Sequence, residues 1–175
     1  EVARVEVYLA SAAGLLSWCG KWRKIPTPLA HPTLLAACGA DVALADSVNR
    51  LLYRQGRVST LPPGIEVLRC WRNQLLTLSS ETNCLTLYDA HDYPLVTSPA
   101  GIRPCDCAVV DCQVIVCGCE DGCLHIFSLP DLREIAAYPV PGCPMRVAAD
   151  GGVLTCLSLL SPDPPQTLLF RLCLT

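Results

Sequence analysis

Cysteine is the residue type whose number and spacing most invite a chemical reading. The 175-residue chain carries 13 of them, and Cys105, Cys107, Cys112, Cys117, Cys119 and Cys123 crowd one short segment. Four thiolates held tetrahedrally would bind zinc or an iron–sulfur cluster. A hairpin turning near Cys112 sets Cys105 and Cys107 opposite Cys119 and Cys117. Residues two apart in a strand share a face, so this predicts four clustered thiols and makes Cys105, Cys107, Cys117 and Cys119 the candidate metal set. Two features oppose that reading. Neither Cys-x-Cys pair has the wider gap of a usual zinc knuckle. An internal alignment, given below, places Leu68 and Met145 at the position of Cys105, Cys70 and Val147 at that of Cys107, and Leu78 at that of Cys117. The expectation is therefore of buried thiols acting as small hydrophobes, with no metal and no other cofactor.

Other catalytic constellations are sparse. His31, His91 and His125 lie far apart in sequence, no Gly-x-Ser-x-Gly turn occurs, and no Ser/His/Asp order stands out. His125 sits between Leu124 and Ile126, which predicts a side chain on an exposed strand face, and His91 sits in a polar turn, Asp89 to Asp92. Asp150-Gly151-Gly152 reads as a hairpin turn and not as a phosphate loop. Pro162-Asp163-Pro164-Pro165 reads as an extended loop between two strands. A net charge of −3 and a single short basic run, Lys21 to Lys24, argue against nucleic acid as a partner. No apolar run approaches membrane-spanning length, so no membrane partner is expected. The odd, unevenly spaced cysteines fit reduced thiols and a cytoplasmic location. A secreted or periplasmic one stays open, because the chain begins at Glu1 and not at methionine.

The elements that must position these residues are strands. Hydrophobic residues make up 51% of the chain and charged ones 17%, which excludes a disordered polyelectrolyte. Eleven glycines and 15 prolines are too many for a helical bundle. The sequence also copies itself. Gly64 to Trp71, Gly101 to Val110 and Gly142 to Ala149 each place glycine ahead of an apolar strand, and Leu29 to Ala37 is a weaker copy. Thr77 to Asp89 aligns without gaps on Val116 to Ser128, both reading strand, polar turn, strand. Thr82-Asn83 and Asp121-Gly122 supply the positive φ such turns require. Units of roughly 40 residues result, with boundaries at 1–28 (partial), 29–63, 64–100, 101–141 and 142–175. Repeated four-stranded antiparallel units of this period predict an all-β fold, a β-propeller of about four to five blades forming a small or partial ring. A β-sandwich would lack the long-range copy.

Glycine, proline, an apolar strand, Asp-Gly, Glu-Asp-Gly and Leu-x-Ile-Phe-x-Leu, best seen over 101–150, resemble the YVTN-type repeat of the lactonase-like propeller group. The resemblance implies rings of seven blades in many relatives, whereas this chain carries four near-complete units and some N-terminal strands. It also implies a hydrolase reading with charged residues at the central mouth. His31, Glu66, Arg103 and Cys143 occupy equivalent places just before the proline-led strands, and Arg69, Asp106 and Arg146 one pleat further on. Together they form a predicted ring able to hold a small anion through guanidinium contacts. The expected function is a non-catalytic scaffold that binds a protein or small molecule through blade loops and the channel mouth. A lactonase-like hydrolase and a cysteine-based metal or redox protein are the alternatives, and an incomplete ring predicts self-association.

Overall fold

The computed structural model describes residues 7–11, 14–18, 21–38, 41–101, 103–118, 120–150 and 152–173. Every described regular element is a β-strand, and the strands form five antiparallel sheets of three or four strands each. Within each sheet a strand pairs only with its neighbours in sequence. The all-β expectation therefore holds. Two compact units divide the chain, residues 1–63 and 64–175.

The first unit contains a three-stranded sheet, β1 (Val7–Ser11), β2 (Gly14–Trp18) and β3 (Trp22–Ile25). Its second sheet comprises β4 (Leu34–Cys38), β5 (Asp41–Asp46), β6 (Leu51–Arg54) and β7 (Arg57–Thr60). Leu15, Leu29 and Leu44 are buried together, with Tyr8, Ile25, Val42 and Tyr53 around them. The β5–β6 turn closes on Asp46, whose carboxylate accepts the backbone N–H of His31 (2.9 Å), the backbone N–H of Asn49 (2.9 Å) and the Asn49 amide (2.8 Å).

In the second unit, β8 (Ile65–Trp71), β9 (Gln74–Ser79), β10 (Cys84–Tyr88) and β11 (Pro94–Pro99) form one sheet. A second comprises β12 (Asp106–Val110), β13 (Gln113–Cys117), β14 (Cys123–Ser128) and β15 (Glu134–Pro139). A third comprises, among the described residues, β16 (Cys143–Asp150), β17 (Val153–Pro162) and β18 (Pro165–Cys173). The predicted hairpins are present: Thr77↔Thr86 pairs β9 with β10, and Ile115↔Ile126 pairs β13 with β14. Asn83 and Gly122 take φ of 54° and 70° in the corresponding turns. The segment at Pro162 to Pro165 differs from expectation. Pro162 pairs with Pro165, so Asp163 and Pro164 make a two-residue hairpin turn in place of an extended loop.

The middle sheet is packed on both faces, and its sequence shows why. In β13, Val114, Ile115, Val116 and Cys117 are all fully buried. Val114 and Val116 join Val67, Trp71, Leu76, Leu78, Leu85 and Leu87 of the preceding sheet. Ile115 and Cys117 join Val147, Leu154 and Cys156 of the following one. A strand with apolar neighbours on both sides needs an unbroken apolar run, whereas alternation serves a strand with one wet face. Each such side chain contributes about 1.5–3 kcal/mol through burial. The three sheets approach most closely along their first strands, β8, β12 and β16. Further out, the second and third sheets leave an apolar cleft of about 300 Å³ lined by Ile115, Leu124, Tyr138, Leu154 and Leu172. The outer strands β11 and β15 are largely exposed.

Candidate functional site

Hydrogen bonding at the line of first strands centres on Asp106, at the start of β12. Its side chain is buried, and Oδ1 accepts Nη2 of Arg69 at 3.0 Å and the backbone N–H of Cys107 at 2.9 Å. Oδ2 accepts the backbone N–H of Val147, in β16, at 3.1 Å. One carboxylate thus joins all three sheets. Arg69 adds Nε to Cys107 O (2.9 Å) and Nη1 to Leu68 O (3.1 Å), while its side chain stays 39% exposed. Arg146, exposed, sends Nη1 to Cys105 O (3.3 Å) and Met145 O (3.0 Å). Charge-assisted bonds of this kind are roughly twice as strong as neutral ones, and here they fix the spacing between sheets.

Three of the predicted mouth residues therefore come together: Arg69, Asp106 and Arg146. Their equivalence is looser than the alignment implied. Asp106 and Arg146 stand opposite Cys117 and Leu157, each the fifth residue of its following strand, and the residue at that place in β8 is Val67. Arg69 lies two residues further along and reaches Asp106 because its side chain is long. Glu66 accepts a hydrogen bond from Ser80 (3.0 Å) on the surface. Arg103 is exposed, pairs with Glu120 at 3.2 Å, and donates its backbone N–H to Asn83 Oδ1 at 2.9 Å. His31 belongs to the first unit, where its side chain is exposed and its backbone serves the Asp46 turn.

The thiols do not gather as the spacing suggested. Cys119 lies outside the described residues. The ladder pairs Asp106 with Cys117 and Cys107 with Val116, one residue out of the expected register, and a one-residue slip moves a side chain to the opposite face. Cys107 therefore packs against the preceding sheet and Cys117 against the following one. No group of three or more metal-ligating side chains occurs among the described residues. Cys105 sits just before β12, donates its N–H to Cys117 O (2.9 Å), and joins Cys117 on the face toward β16–β18. Cys105 holds the place of Glu66 and Met145, where the β8–β9 and β16–β17 ladders shift register. Burial pushes the Cys107 thiol up to about 12 and Cys156 up to about 11. Cys105 moves down, chiefly because the Cys117 thiol donates a hydrogen bond to its sulfur and because Arg146 is near. Cys117 moves up through that same bond and its burial. Nine described cysteines are free, in line with reduced thiols, whereas Cys70 is disulfide-bonded.

His125 reverses its expectation. It is 8% exposed, with Nδ1 2.6 Å from Glu134 Oε1 and Nε2 2.9 Å from Asp121 Oδ2. Leu124 and Ile126 alternate with it, but both faces of this sheet are covered, so alternation here does not separate inside from outside. The only advance signal was the pair of carboxylates, one in the turn before β14 and one at the start of β15. His91 lies in the polar turn, exposed, as expected.

The class this architecture defines is an all-β protein of small, consecutive antiparallel sheets. No protein-family model and no curated protein matches the sequence. Among solved structures it is similar to the computationally designed Ika8 protein, with a TM-score of 0.71 and 9% identity over 95% of this chain and 55% of that one. It is also similar to U3-55K, with a TM-score of 0.69 and 13% identity over 87% and 54% of the two chains. The computationally designed Ika4 protein gives a TM-score of 0.63 and 9% identity over 81% and 91%. The chain thus spans about half the length of Ika8 and of U3-55K. Identities this low bear on fold alone.

Proposed function

We propose that this chain is a non-catalytic β-propeller, or part of one, that serves as a rigid scaffold and binds a protein or small ligand at the ends of its first strands. The observation that carries the reading is the Asp106 junction. A buried carboxylate with all of its described bonds directed at three adjacent sheets acts as a strut, and the sheets spread outward from it, leaving a cleft near their outer edges. The repeat resemblance over 101–150 supports the same architecture. Arg146, exposed beside the strut, and half-exposed Arg69 offer guanidinium donors to a carboxylate or similar anion.

Two measurements test this reading. An experimental structure of the chain should place β8, β12 and β16 around a common axis, and a two-layer sandwich would overturn it. Thermal denaturation with sulfate or citrate at constant ionic strength should show stabilisation that Arg146→Ala removes. Hydrolysis of a simple lactone that is lost in Arg146→Ala would instead favour an enzyme.

A further inference from the structure

Cys105 and Cys117 are free thiols and neighbours on one face of the middle sheet: the Cys105 N–H donates to Cys117 O at 2.9 Å and both side chains join the layer facing β16–β18. Cys105 is half-buried and reachable by a small solute, whereas Cys117 is fully buried. Gly118 opens the space for this contact. It takes φ of 87°, and a Cβ there would overlap Cys105 Sγ and lie 2.7 Å from its backbone nitrogen. The Cys105 thiol donates to Met145 O at 2.9 Å, while Arg146 Nη1 bonds the Cys105 carbonyl at 3.3 Å and so brings a cation to residue 105. The ladder partner of Cys117 is Asp106, and the N–H of the preceding Cys105 also bonds Cys117 O at 2.9 Å, so Cys105 and Cys117 are direct neighbours across the two strands.

We propose that Cys105 and Cys117 are a peroxide-reactive thiol pair, with Cys105 the attacking sulfur and Cys117 the resolving one. The Cys105 thiolate attacks one oxygen of hydrogen peroxide, the O–O bond breaks, and the departing hydroxide takes a proton to leave as water. Cys105 is then a sulfenic acid. The Cys117 sulfur displaces its hydroxyl, the S–O bond breaks, and that hydroxide leaves with the Cys117 proton as a second water. Two thiols are oxidised to one disulfide and one peroxide is reduced to two waters. The asymmetry follows from environment: the cation and the donated hydrogen bond favour the thiolate at residue 105, while residue 117 lies in an apolar layer. This reading does not depend on the scaffold function.

The test is oxidation of the folded chain with equimolar hydrogen peroxide at neutral pH, followed by alkylation, cleavage and tandem mass spectrometry. The expected product is a 105–117 disulfide, formed while exposed Cys112 and Cys173 remain alkylatable. Cys117→Ser should leave a sulfenic acid at residue 105 that dimedone traps, and Arg146→Ala should slow disulfide formation several-fold. Oxidation of Cys112 or Cys173 with Cys105 left reduced would overturn the proposal, as would a 105–156 linkage. The wild-type measurement decides the matter even if a cysteine variant fails to fold.

Discussion

Asp46 illustrates how a buried carboxylate is held by donors alone. Its burial by itself would raise its pKa, but the Asn49 side-chain amide, the Asn49 N–H and the His31 N–H more than offset that, and the net displacement is downward. A folded-state pKa below the unfolded value of about 3.9 gives stability that is full above that pH and is lost as pH falls through the folded value. Asp46→Asn should therefore destabilise the chain by about 1–3 kcal/mol at pH 7. In urea denaturation the gap between wild type and variant should narrow below pH 4. Asp106→Ala strands three donors at once, the Arg69 guanidinium and two backbone N–H groups. Hydrogen bonds to charged groups are worth about 1.5–3 kcal/mol, so a loss near the upper end is expected by the same measurement.

The strands explain which parts of the sequence reported faithfully and which did not. Turn residues did, because Asn83 and Gly122 adopt backbone angles set by local sterics. Face assignments failed wherever a neighbouring sheet intervened. The flanking Leu124 and Ile126 point to a solvent-facing His125 only because alternation presumes one wet side. The cysteine quartet failed because no composition signal announces the register that sets Cys117 opposite Asp106. Gly118→Ala should force Cys105 aside and lower the melting temperature by several degrees, about 2–4 °C for each kcal/mol lost in a domain of this size. β18 makes a different prediction. It is the third strand of its sheet, as β10 and β14 are of theirs, yet it has no fourth strand beyond it among the described residues. In hydrogen exchange, alternate β18 amides should exchange quickly while those of β10 and β14 stay protected.

For the whole molecule, the five sheets could be anticipated because the chain repeats its own pattern of glycine, strand, turn and strand. The Asp106 junction could not. Arg69 and Asp106 lie in different sheets and far apart in sequence, and only the stacking of sheets brings them within 3.0 Å. Since every ladder joins strands adjacent in sequence, loop-closure entropy at each step is small. A nascent chain can therefore complete one hairpin after another as it leaves the ribosome, each finished sheet of the second unit offering an apolar platform to the next. Arrest-peptide fusions truncated after residue 100 should already pull on the stalled peptide.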